Sequence, residues 1–198
     1  MPLASLLDAP PRQRLRLGAM ARLAAALGLA ILLAACAGPS FDRNVGGGPD
    51  FALERYFDGR IEAWGVFQDR AENVRRTLKV TIDGTWDGET LTLDEDFIYE
   101  DGATEKRIWV LRKDGPNRWV GTAEGVVGEA VGIVEGNALN WKYEFDLVRP
   151  NGDVVRVDFD DWMYLQDDRV MINRAYVSKF GFEVGQLSLF FVRDEPMR

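Results

Sequence analysis

The sequence predicts an all-β protein, an antiparallel up-and-down meander of nine or ten strands closed into a barrel, with a short helix before the first strand. From Gly59 onward, apolar and polar residues alternate with period two, which is typical of antiparallel strands with one buried and one wet face. Pairs of turn-forming residues separate the alternating segments. A meander of this length closes into a barrel most easily, because closure removes its unpaired edges.

Residues 1–35 resemble the signal peptide of a bacterial lipoprotein. Arginines between Arg12 and Arg22 precede an apolar run, Leu23 to Ala35, whose 13 residues are too few to cross a bilayer as a helix, which needs about 20. The run ends on Leu33-Ala34-Ala35-Cys36, which resembles a lipobox and contains the only cysteine of the chain. We therefore expect removal of residues 1–35 and acylation of Cys36. A coincidental cysteine after an ordinary secretory leader is the alternative.

The expected anchor and the residue after it predict a location. Lipoproteins of the type that this leader resembles carry three acyl chains, and several chains give stable attachment where one does not. Ala37 follows the cysteine, and by resemblance to the sorting rule of enteric bacteria a residue other than Asp there favours the outer membrane. We expect the mature protein on the periplasmic face of the bacterial outer membrane. Residues 36–49 would form a flexible, glycine-containing tether to a single domain of residues 50–198.

Charge and composition exclude several classes of function. Removal of residues 1–35, which contain four Arg and one Asp, leaves 20 basic and 31 acidic residues, a net charge of −11. Such a surface repels nucleic acid and anionic headgroups, so no nucleic-acid partner is expected and the anchor must supply membrane attachment. The chain contains no histidine, which excludes a Ser-His-Asp triad and any His-ligated metal site. No metal or cofactor is predicted.

The domain is expected to begin with a short helix over residues 50–57. Asp50 would be its N-cap. The side chains expected to pack inward from it are Phe51, Leu53, Tyr56 and Phe57.

Hairpin turns are predicted where aspartate or asparagine adjoins glycine or another aspartate. Such pairs supply the positive φ angles that tight hairpins need. They are Asp87-Gly88, Asp101-Gly102, Asp114-Gly115, Gly136-Asn137, Asn151-Gly152 and Asp167-Asp168.

Five glycines between Gly121 and Gly136 are unusually closely spaced. The spacing favours a bent pair of strands at a corner of the barrel. Close approach of the backbone to a ligand is the alternative.

Charged residues interrupt the apolar face of several predicted strands. They are Glu95 within Leu91–Tyr99, Arg107 beside Trp109 and Leu111, Glu129 within Val127–Ile133, Asp161 within Val155–Leu165, and Arg174 between Ile172 and Tyr176. A charge buried alone is costly, so these groups should be paired, hydrogen-bonded or neutralised. They would form an internal network or the polar end of a ligand cavity. A salt-bridge plug in a filled barrel, or bulges that turn the side chains to water, is the simpler explanation.

Several segments together resemble one protein family, DUF3833, which comprises proteobacterial lipoproteins of unknown function. The segments are Tyr56-Phe57-Asp58-Gly59, Ala63-Trp64-Gly65-Val66-Phe67, Asp94-Glu95-Asp96-Phe97, Gly136-Asn137-Ala138-Leu139-Asn140-Trp141-Lys142-Tyr143, Asp160-Asp161-Trp162-Met163-Tyr164 and Ser178-Lys179-Phe180-Gly181. The resemblance covers residues 50–193. It implies a calycin/lipocalin-like barrel and supplies no catalytic residues to carry over.

The leading functional hypothesis is a barrel that holds a small apolar or lipid-like ligand. Arg107 or Arg174 would meet an acidic headgroup of that ligand. The aromatic side chains expected to form the cavity wall are Trp109, Trp141, Tyr143 and Phe145.

Two other functions are consistent with the same pattern. A structural or assembly lipoprotein would have a filled barrel and bind an unidentified protein partner on its outer face. A carboxylate enzyme would use a pair of carboxylates, for which the candidates are Glu95, Glu129 and Asp161 if they converge. A transmembrane barrel would also show alternating strands, but it would not need an acyl anchor.

Overall fold

Each strand of the protein pairs antiparallel with its neighbours in the sequence, and the sheet closes on itself. The computed structural model describes residues 39–41, 47–149 and 151–197, and within them one short helix and ten strands are present. The elements are α1 (Leu53–Tyr56), β1 (Gly59–Asp69), β2 (Val74–Trp86), β3 (Thr90–Tyr99), β4 (Thr104–Lys113), β5 (Arg118–Thr122), β6 (Val126–Glu135), β7 (Ala138–Val148), β8 (Val154–Leu165), β9 (Val170–Lys179) and β10 (Phe182–Arg193). The all-β barrel predicted from the sequence is confirmed.

Closure is made by the first and last strands. Residues Ile61–Asp69 of β1 pair with Gly185–Arg193 of β10, while the other edge of β1 pairs with β2. The sheet order is therefore a closed ring in which no strand within the described residues is left with an unpaired edge. The inward side chains of all ten strands face one another across a single interior.

The two ends of the barrel differ in what covers them. We call the end with α1 the helix pole; the β2–β3, β4–β5, β6–β7 and β8–β9 connections also lie there. The other end, the distal pole, has the β1–β2, β3–β4, β5–β6, β7–β8 and β9–β10 connections. All six predicted turn pairs lie in connections between strands.

The helix closes its pole with aromatic side chains. The predicted inward residues Phe51, Leu53, Tyr56 and Phe57 are all buried. The predicted N-cap is wrong: the helix begins after Ala52, and no side chain caps it. The physical reason is that the Phe51 amide already donates to the Gly136 carbonyl at 2.8 Å, which holds the chain extended through the position where Asp50 would have started the helix.

A buried arginine from the closing strand fixes the helix. The Arg193 guanidinium donates through Nη1 to the carbonyls of Arg55, at 3.1 Å, and Tyr56, and through Nη2 to that of Asp58 at 2.9 Å. Its Nε donates to the Glu195 carbonyl at 2.9 Å. These bonds satisfy carbonyls that the end of a four-residue helix leaves without partners.

The glycines of β5 and β6 are explained by the ring of Trp141. A Cβ on Gly132 would lie 2.4 Å from Trp141 Cε3, and one on Gly121 would lie 3.0 Å from its Cη2. The backbone at these two glycines is therefore closely approached, but by the side chain of Trp141 on β7 and not by a ligand. Gly128, with φ +71, instead lies in a register shift of β6, which matches the bent-strand interpretation.

Part of the predicted tether contacts the barrel. The ring of Phe41 lies 5.0 Å from that of Trp162, centroid to centroid. Trp162 is on the outer face of β8, between the inward residues Asp161 and Met163, yet it is only 3% exposed. Cys36 and the predicted signal peptide lie outside the described residues. No helix in the described part of the chain is long and apolar enough to cross a membrane.

Replacement of Arg193 should destabilise the barrel. In Arg193→Gln the carbonyls at the end of α1 lose their donors, so we expect the free energy of unfolding to fall by about 3 kcal/mol. Urea denaturation of the purified full chain, followed by tryptophan fluorescence, measures this. Arg60→Gln, which removes an exposed ion pair with Asp83, should cost no more than about 1 kcal/mol. Equal losses in the two variants would contradict the role assigned to Arg193.

Candidate functional site

A cavity of about 110 Å³ lies inside the barrel, between the helix and the middle of the strands. Toward the helix pole it is apolar, with Leu53 and Phe57 at its base and Trp109 and Trp141 in its wall. These two indoles pack edge to face with centroids 5.7 Å apart. The result is a rigid aromatic wall around a small space.

Five polar side chains line the same cavity, each from a different strand. They are Glu95 of β3, Arg107 of β4, Tyr143 of β7, Asp161 of β8 and Asn173 of β9. Glu95 and Arg107 are directly opposite each other in the β3–β4 ladder. Because the barrel is closed, Tyr143, Asp161 and Asn173 on β7, β8 and β9 face Glu95 and Arg107 across the interior.

Arg107 is held between two aromatic rings. Its guanidinium carbon lies 5.0 Å from the centroid of Phe97 and 4.8 Å from that of Phe145. On the distal side its Nη2 pairs with Glu105 Oε1 at 2.5 Å. Burial alone would lower the pKa of Arg107, but the neighbouring Glu95, Tyr143 and Glu105 outweigh it and raise that pKa, so the guanidinium stays charged.

Two members of the cluster have polar atoms without a protein partner. Asp161 is 8% exposed and Asn173 is 2% exposed. The Asp161 Oδ1 and the Asn173 Nδ2 are both buried and make no hydrogen bond with another residue. Because buried polar groups are almost always hydrogen-bonded, these two atoms are available to a polar group that enters the cavity, while the Asp161 carboxyl also interacts with Tyr143.

Burial changes the protonation of the two acids. Desolvation raises the pKa of Glu95 to about 7, although Arg107 opposes the shift. Desolvation, together with the neighbouring Asp160, raises the pKa of Asp161 to about 8. Burial also raises the pKa of Tyr143 well above its usual range. At neutral pH, Asp161 is therefore mostly a neutral acid that can donate a hydrogen bond, while Arg107 supplies a positive charge.

The interior placement predicted for Glu129 is wrong. Its side chain is exposed and pairs with Arg112 at 3.2 Å. The inward positions of β6 are Val126, Ala130, Gly132 and Val134, and the register shift between Val127 and Val131 leaves this alternation unchanged. The sequence pattern pointed to the wrong face because the inward set includes small residues, among them Gly132 against the ring of Trp141, while Val127 and Val131 share the outer face with Glu129. Ala130 is consequently the fully buried residue. Of the three candidate carboxylates, Glu95 and Asp161 line the same cavity and Glu129 does not join them.

The interior placement predicted for Arg174 is also wrong. On β9 the buried set is Met171, Asn173, Ala175 and Val177, so Arg174 points outward and donates from Nε to Gln186 Oε1 at 2.7 Å. Asn173 is the polar residue that β9 brings to the cavity. Sequence reasoning missed it because both alternating sets of this strand contain apolar residues.

The predicted wall residues are divided between two regions. Trp109, Trp141 and Tyr143 line the cavity. Phe145 does not: it lies in a smaller apolar cluster with Val157 and Val177, closer to the distal pole. Phe145 contacts the site only through its ring, which lies against the guanidinium of Arg107. Among the described residues, no group of three or more Asp, Glu, Cys or His side chains could hold a metal ion.

Comparison with known proteins identifies a family and a related fold. The family DUF3833, described as a protein of unknown function, matches residues 30–193. No match was found among curated protein sequences. An S-type phycobiliprotein lyase, CPES from Guillardia theta, is structurally similar, with a TM-score of 0.52 and 10% sequence identity over 73% of this chain and 94% of the lyase. This likeness supports the predicted lipocalin-like barrel and shows the fold alone.

The buried acids predict how stability depends on pH. Unfolded carboxyls ionise near pH 4, whereas folded Asp161 keeps its proton to about pH 8 and Glu95 to about pH 7. Between these values the folded state binds more protons, so the free energy of unfolding should fall as pH rises, by at most about 1.4 kcal/mol per pH unit for each group. Urea denaturation from about pH 4 to about pH 9 measures this slope, because that range covers the pKa values of the carboxyls in the unfolded and in the folded state.

Matched variants show whether the pH dependence of the free energy of unfolding comes from the two acids in the cavity. Asp161→Asn and Glu95→Gln should each flatten it, because the amides do not titrate. Asp96→Asn, next to Glu95 but exposed on the outer face, should leave it unchanged. A slope that persists in the double amide variant would contradict the placement of these two acids.

Proposed function

The chain belongs to the DUF3833 family, and we propose that it is a membrane-anchored periplasmic lipoprotein whose barrel binds one small amphiphilic ligand. The observation that carries the proposal is the pair of open hydrogen-bonding groups, Asp161 Oδ1 and Asn173 Nδ2, inside a cavity with aromatic walls. The ligand completes these bonds and places its apolar part against Trp109 and Trp141.

The chemistry of the cluster defines the polar end of the ligand. The polar end of the ligand would carry an oxygen that accepts hydrogen bonds from Asn173 and Arg107 and lies beside protonated Asp161. A carboxylic acid or a hydroxyl group supplies such an oxygen. A carboxylate binds best when Asp161 and Glu95 are neutral, because ionised acids would repel it. Arg174, the other cation considered for this role, lies on the outer face and takes no part.

The size of the cavity defines the apolar end. At about 110 Å³ it is smaller than the apolar cavity of about 150 Å³ that accommodates benzene in an engineered protein. It therefore holds a small molecule, or the terminal part of a longer chain, rather than a complete lipid. Apolar walls with a few polar groups are typical of ligand sites.

The leader supports the proposed anchor. The family match begins at residue 30 and therefore includes Cys36 as well as the barrel. Ala37 favours the outer membrane among bacterial lipoproteins of enteric type. The surface charge gives no attraction to anionic lipid, so attachment rests on the acyl chains.

A second candidate is a protein-binding barrel. Trp64, Phe190 and Ile172 are exposed on the outer wall and stand side by side, since Trp64 pairs with Phe190 and Phe190 with Ile172. This apolar strip favours a partner on the outside. Such a function would leave the interior without a ligand.

Acylation is tested by labelling the full chain with palmitate in cells. We expect label in the wild type, and none in Cys36→Ser, which should also leave the membrane fraction. Ala37→Asp should keep its label but move to the inner membrane of an enteric host. An unlabelled wild type, or a membrane-bound Cys36→Ser, would contradict the anchor.

Ligand binding is tested by native mass spectrometry of the full chain purified from its host. The wild type should carry a small molecule of constant mass. Leu189→Trp, which fills the cavity from β10, should lose it, whereas Ile172→Trp on the outer wall of β9 should retain it. A wild type without any bound molecule, or equal loading of Leu189→Trp, would overturn the proposal and favour the protein-binding alternative.

A further inference from the structure

Exposed apolar side chains concentrate at the distal pole. Of the 13 large apolar residues that are exposed in the described part of the chain, eight lie there. They are Val74, Ile98, Leu147, Val148, Val154, Phe180, Phe182 and Val184. None lies in a connection of the helix pole within the described residues. Such a concentration at one end is typical of an interaction surface.

The most exposed members are at the tips of two neighbouring hairpins. Phe180 is 86% exposed and Phe182 is 73% exposed, on the β9–β10 hairpin. Val148 and Val154 pair with each other on the β7–β8 hairpin, which extends four residues beyond the last β8–β9 pair, Asp158–Ser178. Both tips therefore project from the body of the barrel.

Phe180 occupies a backbone conformation that rarely suits it. Its φ is +54, in the left-handed region, and Gly181 follows with φ +78. Glycine, asparagine or aspartate normally occupies such a turn position, and a bulky residue there costs conformational energy. The phenyl ring contacts the Lys179 ammonium at 5.2 Å but is not buried by the barrel, and its strained, exposed position points to an external apolar medium.

The distribution of charge distinguishes the two poles. The two distal hairpins are neutral, with Arg149 and Lys179 balancing Asp153 and Glu183. The helix pole has seven acidic residues against Arg169 alone, in segments 87–89, 114–117, 136–137, 166–169 and 194–197. The other three distal connections, 70–73, 100–103 and 123–125, add a net charge of −3, so the distal pole is less acidic than the helix pole and repels anionic headgroups less.

The tether is long enough to allow this orientation. With Phe41 packed on Trp162, Cys36 can extend about 18 Å from that contact. Val154 lies eight residues from Trp162 along β8, which corresponds to about 20 Å along the axis of a tilted barrel. A fully extended chain of this length therefore spans most of that distance.

We propose that the distal pole docks on the lipid bilayer, with Phe180, Phe182, Val148 and Val154 inserted at the level of the headgroups. The inference rests on the proposed anchor, which holds the barrel near the membrane, and it adds an orientation. Aromatic and aliphatic side chains at the interface are stabilised by burial of their apolar area. Docking also turns toward the lipid the side of the cavity that holds Arg107, which is only three residues from the distal start of β4.

Depth measurements on the full acylated chain in vesicles test the orientation. Acylation consumes the thiol of Cys36, so an introduced cysteine is the only reactive one. A fluorophore is attached at Asp153→Cys in a distal hairpin or at Glu89→Cys at the helix pole. The vesicles contain phosphatidylethanolamine, phosphatidylglycerol and a headgroup-nitroxide lipid that quenches fluorescence on contact. We expect strong quenching at residue 153 and little at residue 89.

The hairpin phenyl groups are tested in the Asp153→Cys background. Phe180→Ser with Phe182→Ser should lower the ratio of docked to undocked protein by about tenfold for each ring removed, and quenching should fall accordingly. The matched control, Trp64→Ser with Phe190→Ser, removes two exposed outer-wall aromatics and should leave quenching unchanged. Urea denaturation of each variant checks that the barrel remains folded.

Three outcomes would overturn the docking proposal. They are equal quenching at the two positions, stronger quenching at residue 89, and quenching at residue 153 that survives loss of both rings. Equal quenching at the two positions is also expected if the distal pole binds a protein rather than lipid, because the vesicles contain no other protein. If the wild type does not remain on the vesicles, the anchor itself fails. Co-sedimentation of the Cys36→Ser chain with the same vesicles, with and without the two rings, then tests docking separately.

Discussion

The structure depends on the pairing of the first strand with the last. Once β1 and β10 are joined, ten amphipathic strands have a common interior, and no row of unpaired amides remains among the described strands. The same pairing carries Arg193 from the end of the chain to the carbonyls of a helix near its start. Closure thus forms the interior and also fixes the element that covers one of its ends.

The closed interior explains how charged residues become functional groups. Glu95 and Asp161 would be costly as buried anions, and the protein reduces this cost by raising their pKa values and by placing Arg107 near them. Arg107 is in turn stabilised by two phenyl rings and by Glu105. Asp161 Oδ1 and Asn173 Nδ2 have no hydrogen-bond partner within the protein, although a fully satisfied network would be more stable. These two open groups are the main support for the proposed ligand site.

The two poles divide the remaining tasks. The helix pole is closed by aromatic residues and surrounded by acids, so it is dry inside and repels anionic surfaces outside. The distal pole exposes apolar hairpins and lies closer to Arg107. A barrel oriented with that pole toward the bilayer would have its polar cluster near the source of amphiphilic molecules. The proposed ligand site, anchor and docking surface are then parts of one arrangement.

Period-two alternation and turn pairs were sufficient to predict the barrel, because both are local properties of the chain. They also identified Glu95, Arg107 and Asp161, which lie on strands with one clearly apolar face. They failed for Glu129, because the outward residues of β6 include Val127 and Val131 while the inward ones include Ala130 and Gly132, and for Arg174, where both faces of β9 are partly apolar. The N-cap at Asp50 failed because a long-range bond to Gly136 holds the preceding chain extended.

The sequence by itself determined the strands, most of the turns and the lipobox-like leader, since each is encoded by neighbouring residues. Only the tertiary structure decided which glycines accommodate Trp141, that Asn173 joins the polar cluster, and that the exposed apolar residues gather at one pole. These features arise from the register between strands and from closure of the ring, which bring together residues far apart in the chain.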